Sequence, residues 1–136
     1  MVVSVRPENS FVRALDLRDA AGIGALFAED GALVSAGRRY QGREAVQSYY
    51  EQRFSAVGSA HHVMTEVERI AGDDFDESAW TWIAVLGPSE SPLLSCGRYR
   101  FRLDRDDRVA QLEVQVDATY GLGPATALAA LPPTES

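Results

Sequence analysis

Two histidines stand side by side at the start of a stretch, AHHVMTEVE from Ala60 to Glu68, that alternates as a strand does. Imidazole titrates nearest neutrality, so it is the first side chain to consider for moving protons. Adjacent strand residues face opposite sides of a sheet, so at most one of the pair enters an interior. His62 is assigned to the inner face and His61 to the outer; a histidine that only hydrogen-bonds a turn is the alternative reading of His62. Asp16 lies beside Leu15 at the edge of an apolar stripe, where a carboxylate either serves a site or merely pairs with Arg13 or Arg18. Tyr99 falls on the apolar side of its strand. A buried phenol there either donates to a developing oxyanion or packs with its hydroxyl tethered. Tyr50, Trp80 and Trp82 suit a pocket for a flat or cyclic ligand, and suit an aromatic core equally well. Asp73, Asp74, Asp76 and Glu77 lack the ligand spacing of a calcium loop, so no metal site is expected. Cys96 shares its phase with Arg98, Arg100 and Arg102 and reads as inert. That arginine row reads as an outer sheet surface, with Glu66 and Glu68 as cross-strand partners.

The elements that must position these residues follow from periodicity. FVRALDLRDAAGIGALFAED, Phe11 to Asp30, places Phe11, Leu15, Ile23, Leu26 and Phe27 at helical spacing. This amphipathic segment breaks near Asp19, which can cap the second half by accepting from N–H groups around Gly22. The helix is expected to run to the glycine of LFAEDG. A short strand, Ala32 to Ala36, and a turn at Gly37-Arg38-Arg39 come next. A second helix spans Gly42 to Gly58, with Val46, Tyr49, Tyr50, Phe54 and Val57 in one stripe. The period then falls towards two. Strands are expected over His61 to Ile70, Glu77 to Leu86, Leu94 to Leu103 and Val109 to Ala118. Trp80, Trp82, Ala84 and Leu86 share one side of the second of these. Gly97, Tyr99, Phe101 and Leu103 oppose the arginines on the third, and Ala110, Leu112, Val114 and Val116 form the apolar face of the fourth. From Gly121 the chain turns to Gly, Ala and Pro and is expected to be loose or to pack on a partner subunit. Helices followed by a run of strands make an α+β domain, and a helical lid over a sheet encloses a cavity.

A chain of 136 residues supports one domain, with its core over about 8–120. With 46% apolar and 24% charged residues it has the composition of a globular protein. Thirteen basic against twenty acidic residues leave a net charge of −7, which argues against a nucleic-acid partner. A lone cysteine excludes an internal disulfide and fits a reducing cytoplasm. Neither a leader peptide nor a membrane span is apparent, so a cytoplasmic location away from membranes is expected.

The segments FVRALDLRDAAGIGALFAEDGALV, YQGREAVQSYY and GRYRFRLDRDDRVAQLEV resemble, in order and spacing, the SnoaL-like or ketosteroid-isomerase-like proteins. The resemblance implies a cone-shaped α+β barrel: three N-terminal helices packed on a strongly curved mixed sheet around a deep apolar pocket. In the steroid isomerases a first-helix tyrosine and a late-strand aspartic acid donate to an oxyanion, and a second aspartate moves the proton. Those positions hold Phe11, Tyr99 and Ser35 here. A serine hydroxyl is too weak a base for a carbon-bound proton, and Phe11 has no donor, so steroid-type isomerisation is not implied. Phe11 and Ser35, with Tyr50, Trp80 and Trp82, are instead assigned to the substrate-binding wall. The chain is closer to the branch that resembles scytalone dehydratase, in which a first-helix aspartate and a pocket histidine fall on Asp16 and His62. The implied site has His62 as acid/base, Asp16 fixing its tautomer and Tyr99 as oxyanion donor. It needs no cofactor and no metal. The implied function is dehydration, isomerisation or cyclisation of a small hydrophobic or polycyclic metabolite by a homodimer; the alternative is a non-catalytic ligand-binding or dimerisation domain of the same fold. The homodimer is expected because such a sheet leaves one broad face partly apolar, as the Trp80/Trp82 and Val114/Val116 phases suggest.

Overall fold

A computed structural model describes residues 5–88 and 90–122. The expectation for the tail therefore lies almost wholly outside the described residues. α1 (Pro7–Asp16) opens on a proline, whose fixed φ suits the first helical turn. After a turn at Leu17 and Arg18, Asp19 caps α2 (Ala20–Leu26), its carboxylate accepting from the Gly22 N–H at 2.9 Å. That cap is where the sequence places it.

The second helix ends earlier than expected. Phe27 is already extended and begins β1 (Phe27–Ser35), so the helical reading through Asp30 is corrected. Phe27 and Ala28 are buried while Glu29 and Asp30 are exposed. A strand residue paired to Val109 buries Phe27 as well as a helix would, and periodicity does not separate the two. The hairpin continues into β2 (Arg38–Gln41), a short polar strand where a turn was expected. α3 (Arg43–Ala56) follows, and then four long strands: β3 (Ala60–Ile70), β4 (Asp76–Leu86), β5 (Leu93–Leu103) and β6 (Val109–Gly121). All four start or end within a few residues of the periodic segments.

The six strands form one sheet in the order β2-β1-β6-β5-β4-β3. β1 runs parallel to β6 and every other pair is antiparallel, so the sheet is mixed. The three helices cover its inner face, the α+β cone that was expected. Phe11 of α1, fully buried, anchors that contact. It meets Tyr50, Tyr99 and Phe101 edge-on at 6.0, 5.5 and 5.7 Å between ring centroids. Three bulges adjust the register of the long strands. The one beside Leu103 sets Val109 opposite it, so Val109 rather than Ala110 takes the buried place on β6.

Two further expectations are corrected. Trp80/Trp82 and Val114/Val116 do not leave an apolar face for a partner; they share the inner face of the sheet. Exposed apolar residues on the outer side include Val63, Ile83, Val85 and Tyr120. Glu66 and Glu68 are not the partners of the arginine row either. Arg98 pairs with Asp117 and Arg102 with Glu77, whereas Glu66 holds Arg6 and Arg69. At one end of the sheet Glu8 is fully buried, accepting from Arg69 Nη2 at 2.7 Å and from Ser78 Oγ at 2.8 Å. Ser78 Oγ in turn accepts from Trp80 Nε1 at 2.8 Å. Among the described residues, no helix is long and apolar enough to cross a membrane.

Candidate active site

The helices and the curved sheet leave a cavity of about 240 Å³ between them. Its walls are mostly apolar and aromatic, with Leu15 from α1, Tyr49, Tyr50 and Phe54 from α3, and Trp82, Tyr99 and Val114 from the sheet. His62 enters from β3. Its ring lies 6.0 Å from that of Trp82, and its side chain keeps only 9% of its surface exposed.

Asp16 meets His62 where α1 ends against the start of β3. Oδ1 of Asp16 lies 2.7 Å from Nδ1 of the imidazole. The backbone N–H of His62 also donates to both carboxylate oxygens, at 3.2 and 3.1 Å. Three contacts on one carboxylate fix both the main chain and the ring. A carboxylate facing Nδ1 favours the tautomer that carries the proton there, which leaves the Nε2 lone pair free. His61 is exposed on the other side of the strand, as alternation requires.

Arg18, proposed above as an ion-pair partner for Asp16, is engaged elsewhere. It donates Nη1 to the Val57 carbonyl at 2.6 Å and Nη2 to the Phe54 carbonyl, and its guanidinium lies over the Phe54 ring. Its backbone has φ 58°, in the left-handed region costly for a non-glycine residue. The tie to the last turn of α3 holds the α1–α2 corner next to Asp16.

Tyr99 stacks on Trp82 at 5.4 Å and lines the cavity. Burial, with the negative charge of Asp16 adding to it, pushes its phenol well above the ordinary tyrosine range. Burial likewise raises Tyr50, with Tyr99 and Tyr49 adding. Both phenols therefore stay protonated donors across the neutral range. For a group whose pKa is raised on folding, stability is complete below the unfolded value, near 10, and declines as pH climbs towards the folded one. Titration at 295 nm is expected to show Tyr99 and Tyr50 silent at pH 10–11 and ionising only as the protein unfolds in alkali. Ordinary titration of all five tyrosines in the folded state would contradict this.

The stack depends on a missing side chain. A Cβ on Gly97 would lie 1.9 Å from the Gln115 carbonyl oxygen and 2.8 Å from Cζ2 of Trp82. Gly97→Ala is expected to cost about 3 kcal/mol by denaturant unfolding, at the upper end for overpacking because one clash is with backbone. It should also change the near-ultraviolet circular dichroism of Trp82. An unchanged midpoint would refute the close approach.

Among the remaining residues assigned to the substrate wall, Ser35, Tyr50 and Trp82 line the cavity. Ser35 Oγ is 3.2 Å from the Tyr49 hydroxyl. Phe11 and Trp80, also assigned to that wall, do not line the cavity. Phe11 is enclosed by the aromatic core, and Trp80 has its indole N–H bound to Ser78 further along β4. Sequence reasoning missed Tyr49 as a polar wall residue, together with Arg18, Arg53, Ser59 and Ser95. Arg53 had a signal, since it stands four residues after Tyr49 and three after Tyr50 on α3. Among the described residues, no group of three or more His, Cys, Asp or Glu is placed to hold a metal ion.

The SnoaL-like domain family matches residues 8–111, most of the chain. The chain belongs to the SnoaL-like family. No curated protein sequence matches it significantly. Solved structures resemble this SnoaL-like domain in fold. A hexachlorocyclohexane dehydrochlorinase, LinA-type3 from Novosphingobium barchaimii, is 14% identical with a TM-score of 0.76, covering 85% of each chain. A proposed scytalone dehydratase from Novosphingobium aromaticivorans is 15% identical with a TM-score of 0.72, covering 87% of each chain. A Mycobacterium tuberculosis protein described as of unknown function is 22% identical with a TM-score of 0.73, covering 82% of this chain and 68% of that one. At such identities the likeness shows the fold alone. SnoaL-like and ketosteroid-isomerase-like folds include dehydratases and isomerases beside proteins of unknown function.

Proposed function

We propose that this SnoaL-like domain is a cofactor-independent proton-transfer enzyme acting on a small hydrophobic or cyclic metabolite, by dehydration, isomerisation or cyclisation. The observation that carries the reading is the 2.7 Å contact between Asp16 and a mostly buried His62 at the wall of an apolar cavity. Nε2 of His62 takes a carbon-bound proton. Asp16 stabilises the imidazolium that forms, and the Tyr99 hydroxyl donates to the oxygen on which negative charge develops. The same imidazolium then returns its proton, to a leaving hydroxyl in a dehydration or to another carbon in an isomerisation. Burial suits this chemistry, because both the phenol and the ion pair act more strongly away from water.

The tautomer tests the first step without a known substrate. In long-range ¹⁵N–¹H spectra above neutral pH, His62 is expected to carry its proton on Nδ1 and leave Nε2 bare, and Asp16→Asn is expected to reverse this. A proton on Nε2 in the unaltered protein would overturn the assignment and favour a ligand-binding domain without catalysis.

The outer face of the sheet supports self-association. Val63 pairs with Ile83 across β3 and β4, and Val85 continues through Leu94 to Tyr120. Val63, the most exposed of these, keeps 72% of its surface open to solvent. Contiguous exposed apolar surface of this kind marks association sites. A homodimer through this face is expected in sedimentation at micromolar concentration, and Val63→Glu with Ile83→Arg is expected to yield monomers. A monomeric unaltered protein would refute it.

A further inference from the structure

The protein carries seven excess negative charges, yet among the described residues no carboxylate lines the cavity and two guanidinium groups do. They are not equivalent. Arg18 is occupied by the carbonyls at the end of α3. The Arg53 guanidinium makes no ion pair or hydrogen bond among the described residues, whereas Arg98 and Arg102 on the outer sheet each hold a carboxylate. Arg53 follows Tyr49 by four residues and Tyr50 by three, so it shares their helical face and closes the same wall. Its charge is felt inside. The phenols of Tyr50 and Tyr99 are raised chiefly by burial, and Arg53 pulls both the opposite way. The Ser35–Tyr49 hydroxyl pair adds neutral donors on that side.

We propose that the cavity selects an anionic ligand: an apolar, ring-sized body lying against Trp82 and Tyr50, with a carboxylate or similar oxyanion held by Arg53 at the rim. The inference deepens the proton-transfer reading by naming the substrate's charge, and it rests on that reading only for the word substrate. A guanidinium pairs with a carboxylate through two parallel N–H donors, and an uncommitted one at a cavity edge loses little by doing so. Arg53 itself is exposed, so the preference is modest and falls with salt.

The test uses two probes of nearly equal shape, 2-naphthoate and its neutral amide. Binding is followed through the Trp82 indole N–H and the His62 amide in NMR titrations. The carboxylate is expected to bind about three- to fivefold more tightly than the amide at low salt, the upper range for a solvent-exposed ion pair. Arg53→Gln, an exposed change whose folding is checked by the Trp82–Tyr99 near-ultraviolet signal, is expected to abolish the preference while leaving amide binding unchanged. Equal binding of the two probes, or no shift of either signal at millimolar probe, would overturn the proposal. So would a preference that survives Arg53→Gln. In His62→Ala the preference is expected to persist, so the anion site and the proton-transfer role fail separately; a preference lost there but kept in Arg53→Gln would place the anion on the imidazole and refute the role of Arg53.

Discussion

Replacing His62 with alanine is expected to lower turnover about 10²- to 10⁴-fold while the domain stays folded, the range supplied by a positioned acid/base. The ring is held from outside the cavity, by Asp16 on Nδ1. Removing it therefore takes away the proton acceptor and leaves the Trp82–Tyr99 wall in place. Asp16→Asn is expected to be nearly as damaging, for a different reason. An amide can present its N–H₂ to Nδ1, which drives the ring proton to Nε2 and blocks the lone pair that must act as base. The backbone N–H of His62 would keep an oxygen to donate to, so the strand start is preserved. The two losses should not add: a double variant no slower than His62→Ala alone is the mark of residues that act as a unit. Tyr99→Phe removes one donor and keeps the stack, and is expected to lower kcat with little change in KM. Retained turnover in both His62→Ala and Asp16→Asn, on any substrate the enzyme converts, would end the acid/base reading.

Why these residues could be named in advance, and others not, is a matter of period and phase. His62, Trp82 and Tyr99 stand on long strands whose strict alternation assigns each side chain a face. Asp16 needed more than alternation, since its stripe shows only that it lies at an edge; a resemblance to scytalone dehydratase, not spacing, supplied its partner. Phe11 and Trp80 were drawn towards the cavity because aromatic residues on an inner face look alike in sequence. Whether such a ring meets a cavity or another ring depends on the curvature of the sheet, which one strand does not encode. β2 was read as a turn because Arg38-Arg39-Tyr40-Gln41 is an edge strand with almost no apolar face. The bulge at Leu103 moved the buried place on β6 by one residue, a shift that alternation cannot anticipate. Glu8 was the least legible. An acid in the first turn of a helix normally faces solvent and favours the helix dipole.

Glu8→Ala is expected to cost about 3 kcal/mol by chemical denaturation, the largest stability loss foreseen for a charged residue here. The carboxylate is wholly enclosed, and its Oε2 receives both the Arg69 guanidinium and the Ser78 hydroxyl. Truncation leaves Arg69 and Ser78 without that acceptor and opens a void beneath α1. The loss stays near the low end of the range for broken buried pairs because 27% of the Arg69 side chain reaches solvent and Glu66 still holds its Nε at 2.5 Å. The other carboxylate oxygen, Oε1, is buried with no partner among the described residues, so the native arrangement already bears a desolvation cost. It follows that the pair is worth less than its removal suggests. Glu8→Leu combined with Arg69→Met, which replaces both charges with apolar volume, is expected to recover most of the loss or to exceed the native stability. If the double variant is instead as unstable as Glu8→Ala, the network contributes net stability and the orphaned oxygen costs little. Neither variant touches the cavity wall, so catalysis by the folded fraction should be unchanged, and a proportional fall in turnover would show that this end of α1 sets the position of Asp16.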